Sequence, residues 1–236
     1  MDINLGNIKQ FFSSGFGGKS EGSIIGIDIG ASSAKIVQLR ASRGTAILET
    51  YGEIALGPYG GQNVGKAVKL TPEKIAEALT DLMREANVTA RTGGLSIPFS
   101  ASLVSILEMP KVDKDSLKRM VPIEARKYIP IPVSEVSLDW FVIPQEEPGE
   151  SAFDQVEAPK PVHARMQEIL LVAIHNDILR DYQKIAESTG LDVNFYEIEI
   201  FSITRSSMGH GPAPVLVVDV GAATTKMYIV ERGVVR

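Results

Sequence analysis

The clearest pattern in the chain is the apolar run Ile24-Ile25-Gly26-Ile27-Asp28-Ile29, closed by Gly30. Its β-branched residues predict a buried strand. Ala31-Ser32-Ser33-Ala34 then makes a tip of small residues, and Lys35 to Leu39 predicts the returning strand. The same order recurs over residues 215–230: strand, Asp219-x-Gly221, the small tip Ala222-Ala223-Thr224-Thr225, strand. Between the two copies, residues 45–56 predict a third strand and the glycine-rich 58–69 a loop. Thr71-Pro72 predicts a helix start, a capping hydroxyl followed by proline at the first helical position. Ile75, Leu79, Leu82, Met83 and Ala86 then share one face at helical spacing. Short strands are predicted at 94–98 and 103–109. Asp113 is expected to cap a helix carrying Leu117, Met120 and Val121. Pro122 should kink or restart it, and Pro130 and Pro132 should end it. Val136, Leu138 and Trp140 alternate as a strand, and 168–174 reads as a buried one. Asn176 is expected to cap a helix through Glu187 with Ile178, Tyr182, Ile185 and Ala186 inward, stopped by Gly190. A strand at 191–196 and a helix opening at 197–202 complete the pattern.

Composition narrows the class. The 236 residues could form one large domain or two small ones, and 44% hydrophobic with 22% charged content is ordinary for a globular protein. A net charge of −5 argues against a general nucleic-acid surface. The chain has no cysteine, which excludes disulfides and thiolate metal sites and fits a reducing compartment. No apolar run approaches the roughly 20 residues of a membrane helix, and the start lacks the signature of a secretory signal. A cytoplasmic protein is the expectation. Ile8, Phe11 and Phe12, followed by Gly15, Gly17 and Gly18, read as a loosely ordered terminus or a docking segment. The acidic, proline-spaced residues 144–162 read as a solvated hairpin loop, with docking as the alternative. His163, His175 and His210 are not spaced as metal ligands, and no catalytic triad, nucleophile elbow or P-loop lysine motif is present.

The candidate chemistry sits in the repeated hairpin. Asp28 interrupts an apolar strand at its end, where a core residue would not be charged. Gly30 lets the backbone turn and approach a ligand closely. Amides of Gly30, Ala31, Ser32 and Ser33 can hold phosphate oxygens. Lys35 adds a positive charge, and Asp28 can hold a hydrated Mg²⁺. One such hairpin is equally well a plain turn; two copies point to two similar halves clamping one ligand.

Asp28, Gly30 and Lys35 resemble the first phosphate motif of the actin–Hsp70–sugar kinase superfamily, and Asp219, Gly221 and Thr225 resemble the second. Met109-Pro110, the string Glu124-Ala125-Arg126-Lys127-Tyr128-Ile129-Pro130-Ile131-Pro132, and Glu135 to Trp140 are similar to the PilM family. Those are cytoplasmic actin-like proteins of type IV pilus and type II secretion-type assembly systems. The resemblance runs from the first hairpin to the last residue. It implies an α/β, actin-like ATPase (ribonuclease H-like) fold with an inserted 1C subdomain placed as in FtsA, and an incomplete second domain. The implied boundaries are a tail at 1–21, subdomain 1A at 22–90 and 165–212, subdomain 1C at 91–164 and the start of domain 2 at 213–236. A piece of a longer protein is expected, lacking the Gly-Gly turn that receives adenine.

The implied cofactors are ATP and Mg, the metal held through water by Asp28 and Asp219. Gly221, Ala222 and Thr224 would present amides to phosphate, and Thr225 would pack at or bond the second phosphate loop. Glu199, where a helix crosses between the domains, is the candidate for orienting an attacking water, if hydrolysis occurs; a carboxylate favoured by the helix N-terminus is the alternative. The implied partner is the N-terminal peptide of a PilN-like membrane protein, docked in a groove between 1A and 1C near Tyr128, Ile129 and Pro130. Pilus motor ATPases would be reached indirectly. The location would be the inner face of the inner membrane, with membrane association only through partners. An FtsA-like division tether and a small-molecule kinase of the same superfamily are the alternatives; no amphipathic tail helix speaks for the first and no catalytic aspartate beside a sugar pocket for the second.

Overall fold

The opening apolar run forms β1 (Ser23–Ile29), the middle strand of a five-stranded sheet in this computed structural model. The structure describes residues 22–42, 45–144, 166–208, 211 and 213–236; the expected tail, nearly all of the acidic run, His163 and His210 lie outside them. β1 pairs antiparallel with β2 (Ser33–Ser42), and β2 with β3 (Thr45–Ala55). On its other side β1 pairs in parallel with β4 (Thr92–Ile97). Parallel strands need a long crossover, and α1 (Pro72–Glu85) lies within it. Thr71 caps α1 as expected, accepting from the Lys74 N–H at 3.5 Å, and Ala76, Ala78, Leu79, Leu82 and Met83 are buried on its inner face.

A second, antiparallel sheet is built from β5 (Ser102–Pro110), β6 (Val136–Val142) and β7 (Met166–His175), in the order β5-β7-β6. α2 (Lys114–Ala125) covers one face, closing a core of Leu107, Leu117, Val121, Ile169 and Leu171. Asp113 caps α2, accepting from the Asp115 and Ser116 amides at 3.0 and 2.9 Å. Pro122 neither breaks nor restarts α2; it lies three residues from the end, where one backbone bond is lost and only one further turn has to follow.

β7 is followed directly by α3 (Asn176–Ser188), then by β8 (Asp192–Ile198), which pairs in parallel with β4 to give the order β3-β2-β1-β4-β8. Asn176 is not a cap. Its side chain bridges outward, donating to the Ser134 carbonyl at 3.0 Å and accepting from the Ser137 hydroxyl at 2.8 Å. It thereby ties α3 to the second sheet.

Sheet membership also moves both expected boundaries of the insert. β4, expected inside 91–164, is hydrogen-bonded to β1 and β8. β7, expected in 165–212 with the first sheet, is the central strand of the second. The reason is that β7 serves two cores by strand alternation: Ile169, Leu171 and Ala173 face α2, whereas Val172 and Ile174 face the larger core. A strand apolar on both faces does not reveal its sheet.

α4 (Glu199–Ser207) leaves β8 without a loop. Buried Glu197, at the end of β8, is bonded by the Arg205 guanidinium, which fixes the direction in which α4 departs. A third sheet follows, β9 (Val215–Val220), β10 (Thr225–Glu231) and β11 (Val234–Val235), in the order β11-β10-β9. Val230 and Val235 enter the larger core. Leu216, Val218, Val220, Met227 and Ile229, alternating with these inward positions, are exposed on the opposite face.

Gln38, on β2, locks the frame beneath the first hairpin. Only 3% exposed, it accepts from the Thr89 and Ala90 amides at 2.9 Å each and donates to Glu49 and Thr89 side chains. Gln38→Leu keeps the volume but strands both amides. An unsatisfied buried donor costs about 1–3 kcal/mol; Ala90 is buried whereas Thr89 is exposed, so urea unfolding should show a loss of about 1–3 kcal/mol.

Candidate functional site

The two repeated hairpins close in the same way. The Gly30 N–H donates to the Ser33 carbonyl at 2.9 Å, and the Gly221 N–H to the Thr224 carbonyl at 3.0 Å. Ala31 and Ser32 turn their carbonyls to the adjoining loop, accepting from the Val68 and Leu56 amides at 2.9 Å each. The tip of the first hairpin is thus braced by chain that follows β3. Ala34, expected at the tip, is fully buried in β2.

Register identifies what stands opposite each aspartate. Asp28 faces Lys35 across β1–β2, and Asp219 faces Lys226 across β9–β10. Directly opposed residues share a face of the sheet. Lys226, not Thr225, is therefore the counterpart of Lys35. Thr225 is exposed opposite Val220 on the outer face. The missed signal was in the sequence: each lysine follows its aspartate by seven positions.

The lysines behave differently. The Lys35 ammonium lies 3.8 Å from Glu53, both more than half exposed, an arrangement that contributes little. Lys226 is 17% exposed, with its ammonium 2.9 Å from Asp219 Oδ2 and 2.8 Å from Glu199 Oε2. Burial alone would lower its pKa; bonds to the Glu199 and Asp219 carboxylates outweigh burial and hold it above the ordinary lysine value. Glu199 opens α4, a position the helix dipole favours for a carboxylate. Its other oxygen accepts from the Phe99 N–H at 2.6 Å. Both Glu199 oxygens are engaged.

Tyr182, on α3, feels the charges of both Asp28 and Glu199. The buried Tyr182 hydroxyl is pushed well above the ordinary tyrosine value, first by burial and then by the negative charges of Asp28 and Glu199. The structure therefore brings Glu199, Asp219 and Lys226 together at one junction of α4 and the third sheet.

Beside this junction lies a cleft of about 530 Å³, lined by Phe99, Val104, Ile106, Leu170, Ile200 and Met227, with Lys226 and Arg236 on its wall. It lies between the second and third sheets. The expected partner corner is elsewhere: Ile129 is buried under α2, Tyr128 and Pro130 are exposed, and none of the three lines the cleft.

At the two turns the Gly30 and Gly221 amides are used to close the hairpins, which leaves the other amides of the two tips and the exposed Lys35 as the groups that could meet a phosphate. For the metal, no three acidic or imidazole side chains gather among the described residues. At the second hairpin the carboxylates already hold a cation, Lys226. Among the described residues no helix is long and apolar enough to cross a membrane.

Residues 26–235 match a family model described as type IV pilus assembly protein PilM. The chain belongs to this family. Its fold is that of the actin-like ATPases. Among solved structures, this PilM-family chain is similar to one in a PilM-PilN type IV pilus biogenesis complex, with a TM-score of 0.71 at 20% identity. The match covers 92% of this chain but 60% of that one. It is also similar to the cytoplasmic domain of EpsL from Vibrio cholerae, an inner-membrane component of the type II secretion system. There the TM-score is 0.51 at 13% identity, covering 89% of this chain and 71% of that one.

Proposed function

We propose that this chain is a cytoplasmic scaffold of a type IV pilus or type II secretion-like assembly platform at the inner face of the inner membrane. Within the full-length protein it binds Mg-ATP at its paired hairpins, and it takes the N-terminal peptide of a PilN-like membrane protein in the apolar cleft. The reading is carried by one observation: the cleft and the hairpin junction share residues. Phe99, Ile200 and Lys226 line the cleft, while the Phe99 amide and Lys226 hold Glu199 at the junction.

The hairpins divide the work. Backbone amides of Ala31 to Ser33 and of Ala222 to Thr224 bind phosphate oxygens, those of Gly30 and Gly221 being used to close the turns, and Lys35 neutralises the phosphate charge. Asp28 and Asp219 hold the hydration shell of Mg²⁺, which when bound supplies charge neutralisation for the phosphates. Glu199 orients water only when its two bonds are given up, so hydrolysis is weak or absent and nucleotide acts as a switching ligand. Motor ATPases are reached through the membrane partner. The name of the solved PilM-PilN complex supports a PilN-type partner; the cleft between the second and third sheets is the docking surface we favour, with the Tyr128–Pro130 corner as the alternative.

The test is a calorimetric titration of the chain with a synthetic peptide copying the cytoplasmic N-terminus of a PilN-like protein. One-to-one saturable binding is expected, weakened at least about tenfold by Ile106→Asp, because a charge cannot be buried unpaired in the cleft. Peptide binding that ignores Ile106→Asp moves the site off the cleft; no binding by folded protein removes the scaffold reading.

A further inference from the structure

The two hairpins follow one plan but differ in charge. Both place a lysine opposite the aspartate. In the first, Lys35 turns to Glu53 at an exposed rim. In the second, Lys226 turns inward and bridges Asp219 and Glu199, none of the three more than 27% exposed. A partly desolvated ammonium between two carboxylates makes strong charge-assisted bonds. Without it, the two carboxylates would stand close together uncompensated. Lys226 thus does at this spot what a divalent ion would do.

We propose that Lys226 is the resident cation of the second hairpin, so that a divalent metal ion reaches Asp219 only by displacing it. The ammonium sits on Asp219 Oδ2 and Glu199 Oε2, and its charge repels a second cation brought to the same two carboxylates. Displacement also breaks the bond from Lys226 to Glu199, which joins the third sheet to the start of α4. Lys226 and Ile200 both line the apolar cleft, so metal loading reshapes the cleft wall. This is a linkage in which metal and cleft occupant each change the other's affinity. The inference rests on reading the second hairpin as a metal–phosphate site.

The experiment uses Mn²⁺ alone, without nucleotide, and follows free Mn²⁺ by electron paramagnetic resonance in the parent chain and in Lys226→Met. The parent should bind weakly and the variant at least about tenfold more tightly, the worth of one charge-assisted contact no longer displaced. Adding Asp219→Asn to Lys226→Met should cancel the gain. In melting experiments Lys226→Met should be destabilised in EDTA and recover with Mg²⁺, whereas the parent should be indifferent to both. Should Lys226→Met fail to fold, Lys226→Gln, one atom shorter but still a polar hydrogen-bond donor, removes the charge and should show the same gain. Equal Mn²⁺ affinity in the parent and the folded variants overturns the proposal, as does a gain that survives Asp219→Asn. An ATP titration of the same samples separates this from the broader reading. Metal gain without ATP binding removes the nucleotide function alone, and ATP binding without metal gain removes only the role of Lys226.

Discussion

Replacing Gly93 by alanine is expected to cost this chain its central sheet. Gly93 sits on β4 opposite Ile25 of β1 in the parallel pair. A Cβ built there would lie 1.8 Å from the Ile25 carbonyl oxygen and 2.8 Å from its Cγ2. The first obstacle is backbone and has no rotamer to adopt, so the strands must part. β1 carries Asp28 three residues further on and is the strand on which the first hairpin stands. The loss should exceed about 3 kcal/mol, beyond the usual range for an overpacked core, and should be visible in urea unfolding. Gly94→Ala is the control. Its Cβ would meet the Phe195 ring at 2.1 Å, but Phe195 is a partly exposed side chain that can swing aside. The smaller loss should therefore belong to Gly94→Ala. A Gly93→Ala chain within about 1 kcal/mol of the parent would mean that β1 and β4 are not packed as closely as described.

The same glycines show where sequence legibility ends. Both hairpins were readable, because an aspartate inside a β-branched run followed by glycine has few other uses. α1 was readable from Thr71-Pro72, and α2 from Asp113, because caps act within one turn of chain and leave a local signature. The partners of β4 and β7 were not readable. Strand pairing is a contact between distant segments, and β7 is apolar on both faces because it feeds two cores. Asn176 misled for a related reason: an asparagine before a helix is an excellent cap, but here Ser134 and Ser137 compete for it successfully. At the candidate site, Asp28, Gly30, Asp219 and Gly221 fall where the repeat placed them. Lys226 was hidden by its neighbour Thr225, since a threonine matched the expected phosphate motif and drew attention from the seven-residue offset. Glu199 was found, but not its two partners, which come from residues 100 positions before it and 27 after it. Side-chain networks across such separations leave no periodicity in a sequence.

Asp28→Asn should abolish the Mg-dependent part of nucleotide binding while leaving the fold intact. The substitution preserves size and hydrogen-bonding reach and removes only the charge. Asp28 ends β1 partly exposed, beside the Gly30 turn and opposite Lys35, so it can reach the water shell of an ion seated on the phosphates. The carboxylate's charge is what holds that shell; a neutral amide cannot replace it. Calorimetric titration with Mg-ATP should show at least about a hundredfold loss, two decades at about 1.4 kcal/mol each, whereas ATP in EDTA should bind parent and variant alike. A second readout checks that the intended charge has gone. The negative charge of Asp28 helps to raise the Tyr182 hydroxyl, so in Asp28→Asn the phenolate should form at lower pH than in the parent, followed by ultraviolet absorbance. Burial, the larger cause, is untouched, so the hydroxyl should still titrate above an ordinary tyrosine. A shifted Tyr182 with unchanged Mg-ATP affinity would place the metal away from the first hairpin and leave Asp28 as a neighbour of α3 alone. A shifted Tyr182 together with weakened Mg-ATP binding, with peptide binding retained in the cleft, would make Asp28 the metal's anchor on the first hairpin.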